Sequence, residues 1–434
     1  MNFVFENTET HQNFLSCPDV NGSNIRRFTP SPVVTTLLRF NTLKELWINL
    51  IFENIAVSSN PNKYSKYVIA SGVTHSPWDW CGPAKKNLFS FLKEEYLRDL
   101  RLGKAFLLLD QSHEGYHEDW MFAELHNSCI EYNINPNQLI YVTGNLEESR
   151  QYNGWIETVD ATGKMLIVPV AHFEPMINET ALNRVRIHKL PPLPTVDDHI
   201  KYKTENLEKI KTFNCLQKRP RAHRIWMFKE LVDNNLLEYG ISSMNELEHE
   251  HTYYMNRSMD LDDYNRISKY LPMLPPTNEA YEKEVNDFSD QDSGKYQLRF
   301  NEDLMLDTWV SVISEASFGE DTCFISEKTF KPIAACHPFI LIGNRYSLRN
   351  LRDMGYRTFH PFIDETYDEL DTWERYPAIT NAIKKINNLS NSERLEWFKG
   401  MREILEHNLK VLKKNSENQT LEIFKLINSH YKGK

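Results

Sequence analysis

The chain has 434 residues, 41% of them apolar, and a formal net charge of −10. At roughly 100–200 residues per domain, this length holds two or three domains with sizeable cores. The acidic balance argues against a surface that tracks nucleic acid by charge alone, but leaves room for a local basic pocket for a small anion.

The opening MNFVFENTETHQNF has no basic stretch and no long apolar run, so no secretory leader is expected. No run of about 18 apolar residues suggests a membrane span. Six cysteines (Cys17, Cys81, Cys129, Cys215, Cys323, Cys336) form no CxxC pair and no zinc spacing, which fits a reducing, cytoplasmic setting.

Residues 1–62 read as an N-terminal arm or the first unit of a lobe. From there, short apolar runs alternate with helical patterns. KYVIASG, KAFLLLDQS, NQLIYVTGN and KMLIVPVAHF read as strands, the last weakened or placed at an edge by Pro169. HEDWMFAELHNSCIEYN and EESRQYNGWIETV read as helices. Such alternation predicts an α/β fold with a parallel, doubly wound sheet over residues 63–190. The proline- and charge-rich KLPPLPTVDDHIKYKTE suggests a linker, placed at 191–205.

A second alternating lobe is expected over 206–412. It comprises the strand KTFNCLQ, the helix RAHRIWMFKELVDNNLLEYG ending at Gly240, and a polar insertion at 245–295. The strands TWVSVIS, FILIG and YRTFHPFID follow, with the helix SLRNLRDMG between the last two. Two amphipathic helices, LEWFKGMREILEHNLKVLKKN and TLEIFKLINSHY, finish the chain, and residues 413–434 are set apart as a C-terminal helical segment. Ligands in such folds bind at the carboxyl ends of the strands.

Three stretches carry chemistry. SEKTFKPIAAC lies between two predicted strands and reads as a crossover helix, with Phe330, Ile333 and Ala334 on its buried face. Ser326, Glu327, Lys328 and Lys331 fall at its start, where free N–H groups and lysines suit a phosphate and a carboxylate suits a ribose diol. The same residues also fit a plain exposed helix start with Glu327 and Lys331 as an i,i+4 pair. QKRPRAHR places Lys218, Arg219, Arg221, His223 and Arg224 on a strand-to-helix turn, a second anion-binding candidate or simply a solvated basic turn. LLLDQSHEGYHED puts Asp110, His113, Glu114 and His117 at or beyond a strand end, where a general base for a hydroxyl would belong; helix capping also explains them. The Asp260–Asp262 and Asp290–Asp292 pairs follow no apolar strand and read as caps or loop. His249 and His251 lack a third ligand, and Val142–Asn145 is too short for a dinucleotide fingerprint.

WVSVISEASFGEDTCFISEKTFKPIAACHPFILIG resembles the nucleotide-sugar motif of α1,3-fucosyltransferases. It is still more similar to glycosyltransferases of bacteriophages and large DNA viruses, in which EKTFKPI, HPF, a later GYRTF with ID and YD, and an upstream RPR.HR turn recur. The likeness covers about residues 210–375. It implies a GT-B fold: two Rossmann-like lobes flanking a central cleft, donor in the second, acceptor in the first, and no metal. It implies that Glu327 holds the ribose, that Lys328 with Arg224 or Arg221 neutralises the diphosphate, and that Glu315 faces the base or sugar. Arg219, Ser326 and Lys331 complete the donor set, a UDP- or GDP-linked sugar being the donor. Glu114, then Asp110 and His113, are the candidate bases. The acceptor is either a hydroxymethylated pyrimidine in DNA or a glycan, and the setting would be host cytoplasm for a viral chain. A non-catalytic nucleotide- or carbohydrate-binding protein on the same scaffold is the alternative.

Overall fold

Parallel strands alternate with helices through both halves of the chain. The structure, a computed structural model, describes residues 2–5, 56–58, 66–72, 88–112, 115, 117, 120–186, 189–217, 220–247, 261–273, 300–316, 318 and 322–433. The chain divides into two compact units, Met1–His172 with Asn418–Lys434, and Phe173–Glu417.

In the first unit the elements run β1 (Asn2–Phe5), β2 (Ala56–Ser58), β3 (Tyr67–Gly72), α1 (Glu94–Arg101), β4 (Ala105–Gln111), α2 (Trp120–Glu131), β5 (Leu139–Thr143), α3 (Glu148–Ile156) and β6 (Leu166–Pro169). The six strands are parallel, in the order β2-β1-β3-β4-β5-β6, so the chain order reverses between β1 and β3. Pro169 closes the edge strand β6, as expected of a residue with no N–H for a ladder.

In the second unit come α4 (Phe173–Arg186), α5 (Val196–Glu205), β7 (Lys211–Gln217), α6 (Ala222–Asp233), β8 (Gly240–Met244), α7 (Leu261–Ser268), α8 (Glu302–Leu306), β9 (Thr308–Ser314), α9 (Glu327–Ala334), β10 (Phe339–Ile342), α10 (Ser347–Asp353), α11 (Thr372–Asn387) and α12 (Asn391–Gly400). The last helix, α13 (Arg402–Gly433), begins in this unit and ends in the first. The sheet is again parallel, in the order β10-β9-β7-β8. Its switch point lies between β7 and β9.

Along β3 to β6 residues on both faces of the first sheet are buried, which is why these strands read as apolar runs. Ile69, Leu107, Leu109, Leu139, Tyr141 and Ile167 face α1, α2 and α3, through residues such as Tyr96, Leu100, Phe122, Leu125 and Tyr152. Their alternates Val68, Phe106, Leu108, Ile140, Val142 and Val168 face Ile423 and Ile427 at the end of α13. Tyr431 fastens that end, its hydroxyl donating to the Lys66 carbonyl at 2.7 Å while the Lys66 ammonium donates to the Tyr431 carbonyl at 2.6 Å.

Helix ends explain several differences from the sequence reading. The helix after β7 stops at Asp233 and not at Gly240: Asn235 takes the left-handed conformation (φ 53°) and Leu236 N–H returns to Leu231 O at 2.9 Å, a Schellman stop. Gly240 instead opens β8, a strand whose polar GISSM composition hid it. Within the stretch read as a linker, residues 196–205 form α5, started by a capping box between Thr195 and Asp198. The stretch YRTFHPFID is not a strand. Asn408 of α13 takes both backbone groups of Arg357, and the Glu365 carboxylate takes the Phe359 N–H, so side chains satisfy what a ladder would. The two terminal helices are redistributed as α12 and the continuous α13: residues 416–419 contain no breaker, and the Ser416 hydroxyl bonds back to the Leu412 carbonyl at 2.5 Å.

Candidate functional site

At the switch point of the second sheet, three strand ends and two helix starts meet. Register places Ser314 of β9 opposite Ile342 of β10, and Glu315 N–H continues the ladder to Ile342 O at 2.8 Å. Gln217, last in β7, donates to the Ser314 hydroxyl at 2.8 Å. From this edge the chain turns into α6 after β7 and, through residues 315–326, into α9 after β9.

Glu315 ties the turn together. Its side chain is fully buried and accepts from Ser326 N–H (3.1 Å), Ala316 N–H (3.2 Å), the Thr329 hydroxyl (2.5 Å) and the Ser326 hydroxyl. Its backbone carbonyl accepts from His223 Nε2 at 3.0 Å and from the Arg224 guanidinium at 3.2 Å, and Arg221 donates to the next carbonyl, Ala316 O. The carboxylate that the family likeness turns toward the base or sugar is therefore engaged by α9 of its own chain.

The start of α9 is polar and close to solvent. Ser326 caps it, its hydroxyl accepting from Lys328 N–H at 3.4 Å. Glu327 is buried to 6% exposure and pairs with the Lys328 ammonium at 2.6 Å, while a third of the Lys328 side chain is exposed. Lys331 lies one turn on, half-buried. Phe330, Ile333 and Ala334 are buried and hold the helix against the sheet, as its spacing predicts. The helix stops at Cys336, in the left-handed region (φ 51°), with His337 N–H returning to Pro332 O at 2.9 Å.

Around this point the charge is mostly positive. Arg224 is buried, and burial, then Arg221, lowers its guanidinium to about 10, against the pull of Glu315 and Glu327; it stays charged at neutral pH. Burial, then Arg224, pushes His223 down to about 3, so its imidazole is neutral. Arg221 and Lys328 also act on His223 electrostatically. The His223 ring stacks on Phe318, 5.1 Å between centroids, and Phe318 in turn meets Tyr376 and the Arg375 guanidinium. Arg375, which sequence reasoning missed, donates to Gly343 O at 2.5 Å and so fixes the end of β10. Thr329 was missed too, although its place one turn after the cap serine is a signal.

The structure thus brings Arg221, Arg224, Glu315, Ser326, Glu327 and Lys328 to one place. Arg219, His113 and Glu114 lie outside the described residues, as does the Asp290–Asp292 pair. Asp110 sits at the carboxyl end of β4, between Gly72 and Val142. Asp262 falls in the first turn of α7, and Asp260 lies outside the described residues. Among the described residues no group of three His, Cys, Asp or Glu is arranged to hold a metal ion. A groove of about 1080 Å³ in the same unit, lined by Arg352, Arg357, His360, Glu365, Asp368 and Lys385 among others, includes none of the switch-point residues. No helix among the described residues is long and apolar enough to cross a membrane.

Two N-termini, α6 and α9, with Arg221, Arg224 and Lys328 beside them, form an environment for a compact anion. No protein-family profile matches the chain, and no curated protein matches it. Among solved structures it is similar to the trehalose-6-phosphate synthase of Burkholderia multivorans (10% identity over 96% of this chain and 83% of that one, TM-score 0.40). It is also similar to the N-terminal domain of Candida albicans trehalose-6-phosphate phosphatase (9%, 94% and 77%, TM-score 0.43). An α1,3-fucosyltransferase, solved also with GDP-fucose, matches at 11% identity over 94% of this chain and 90% of that one, TM-score 0.35. Likenesses this distant carry no argument about activity.

Proposed function

We propose that the protein is a nucleotide-sugar-dependent glycosyltransferase on a GT-B-type scaffold, moving a sugar from a UDP- or GDP-linked donor to an acceptor hydroxyl without a resident metal. One observation supports this most: two helix N-termini and the cations Arg221, Arg224 and Lys328 gather at the switch point of a parallel sheet, beside the buried Glu327. The diphosphate lies against these groups, with Arg219 and Lys331 adding charge and Glu327 receiving the ribose hydroxyls. Ser326 and Glu315 act from behind, holding α9 in register. In transfer, the bond from the anomeric carbon to the diphosphate breaks and a bond to the acceptor oxygen forms. The departing charge is met by fixed cations. Glu114, then Asp110 and His113, are the candidate bases for the acceptor proton.

The acceptor is a hydroxymethylated pyrimidine in DNA or a glycan hydroxyl, the first suggested by the bacteriophage-like motifs. The test is a thermal-shift screen with UDP, GDP and their common sugar conjugates on the wild type and on Lys328→Ala and Glu327→Ala. A shift with one nucleotide, lost in both variants, supports the reading, and nucleotide release with hydroxymethylated DNA or simple glycans completes it. Binding without turnover would make the protein a nucleotide-binding module, and no shift with any nucleotide would overturn the proposal.

A further inference from the structure

The groove of about 1080 Å³ in the second unit is walled by the stretch between α10 and α11, with Arg352, Lys385 and Ile404 completing its lining. That wall is fixed from behind. Tyr367 is buried, and its hydroxyl accepts Leu341 N–H at 3.2 Å, which ties the stretch to the edge strand β10. The Asp368 carboxylate accepts from Leu348 N–H at 3.0 Å and Arg349 N–H at 3.1 Å at the start of α10. The Trp397 indole donates to Phe362 O at 3.0 Å, and Asn408 holds both backbone groups of Arg357. The groove is therefore preformed, as small-molecule sites mostly are, and its volume is at the top of their range of roughly 300–1,000 Å³.

Its charges decide the class of ligand. Three cations (Arg352, Arg357, Lys385) face four carboxylates (Asp364, Glu365, Asp368, Glu369), which leaves one net negative charge, His360 aside. Such a balance offers no cationic track for a polyanion. Most of these groups are already engaged. Glu365 accepts from the Thr358 hydroxyl at 2.6 Å and Phe359 N–H at 2.5 Å, and lies 3.5 Å from the Arg352 guanidinium. Asp364 accepts from the Thr366 hydroxyl at 2.8 Å and the Lys385 ammonium at 3.0 Å. Arg357, His360 and Glu369 are exposed, and their side chains have no hydrogen bond or ion pair among the described residues. They offer a forked donor, a mixed donor and acceptor, and a pure acceptor. Beside them lie the exposed Pro361 and the half-buried Phe362 and Ile404. Uncommitted donors and acceptors of both kinds next to an apolar wall match a sugar ring, which has hydroxyls at its rim and C–H groups on its face.

We infer that this groove binds an uncharged oligosaccharide, with Arg357 and Glu369 holding its hydroxyls and Phe362 supporting a ring face. The inference goes beyond the transferase reading and does not need it, since the groove includes none of the switch-point residues.

The experiment titrates the full chain with trisaccharides of glucose, galactose, mannose and N-acetylglucosamine, followed by saturation-transfer NMR and calorimetry. Inorganic phosphate and a single-stranded oligonucleotide serve as charged probes. The variants are Arg357→Ala and Glu369→Ala, whose exposed, unbonded side chains leave the urea midpoint unchanged, and Lys328→Ala at the switch point. We expect one or more trisaccharides to bind at millimolar concentration or below. Arg357→Ala and Glu369→Ala should each weaken that binding about 10-fold, with Lys328→Ala without effect. Absence of binding by every trisaccharide would overturn the inference. So would tighter binding of phosphate or the oligonucleotide, or saccharide binding lost in Lys328→Ala and kept in Arg357→Ala. Saccharide binding that needs Arg357, in a chain that no nucleotide stabilises, would sink the transferase reading and leave the groove assignment standing.

Discussion

The carboxylate of Glu315 and the hydroxyl of Thr329 are 2.5 Å apart, both fully buried, joining the end of β9 to the first turn of α9. A carboxylate accepts all its bonds, so Gln at 315 would aim an NH₂ at donors. A buried polar group left unsatisfied costs about 1–3 kcal/mol. Glu315→Gln should therefore lower the urea midpoint by an amount in that range. It should also weaken nucleotide binding, because α9 loses its anchor. Thr329→Val, which removes one donor and keeps the shape, should cost less, and the order of the two midpoints is the check.

Arg224 and Lys328 should contribute differently to the same anion. Arg224 is buried and held by the Glu315 carbonyl, whereas Lys328 is a third exposed and shares its charge with Glu327. Charge-assisted hydrogen bonds contribute about 1.5–3 kcal/mol, so Arg224→Ala should weaken nucleotide binding by about 10- to 100-fold. The Lys328→Ala loss should be smaller and should shrink further at high salt, since exposed charges are screened. Isothermal titration at two ionic strengths separates them. Turnover should be unchanged by EDTA.

Much of the fold was legible where one local signal sufficed. The runs VIASG, AFLLLDQ and TWVSVIS are strands, and Pro169 marks an edge. Phe330, Ile333 and Ala334 mark the hidden face of α9. Legibility ended where a distant partner decides. The stretch at 356–364 has strand composition, but backbone groups of Arg357 are taken by Asn408, some 51 residues on, and that of Phe359 by Glu365 just past its end. In the site, the basic turn and the EK pair were visible. An acid after a strand reads the same whether it meets a ligand or clamps a helix, and the four donors to the Glu315 carboxylate come from Ala316, Ser326 and Thr329.

Gly240 is a position the sequence reading took for a helix stop. It opens β8 opposite Phe213, whose ring covers it so closely that a Cβ would collide with the ring atoms. Phe213 is fully buried and cannot swing into solvent. Gly240→Ala should therefore destabilise by about 1–3 kcal/mol, the usual cost of overpacking. Ala would be harmless at a solvent-facing helix end. Pairing it with Phe213→Leu should recover part of the loss, read as the change in denaturant midpoint.

Acid should unfold the second unit through its histidines. Burial first, then Lys203, pushes His199 down to about 3, and burial then Arg224 does the same to His223. His337 is lowered well below its usual value by burial, then by Lys203 and His199. Each depressed base binds fewer protons folded than unfolded, so stability is full above about pH 6.5 and falls as pH drops toward about 3. One pH unit in that window is about 1.4 kcal/mol per group, so at pH 5 each histidine removes up to about 2 kcal/mol. His337 has neither ring nitrogen hydrogen-bonded among the described residues. His337→Phe should thus flatten the fall between pH 7 and pH 5 without losing a bond. Urea midpoints at the two pH values, in wild type and variant, give the slope; equal slopes would show that His337 takes up protons alike in the folded and the unfolded chain.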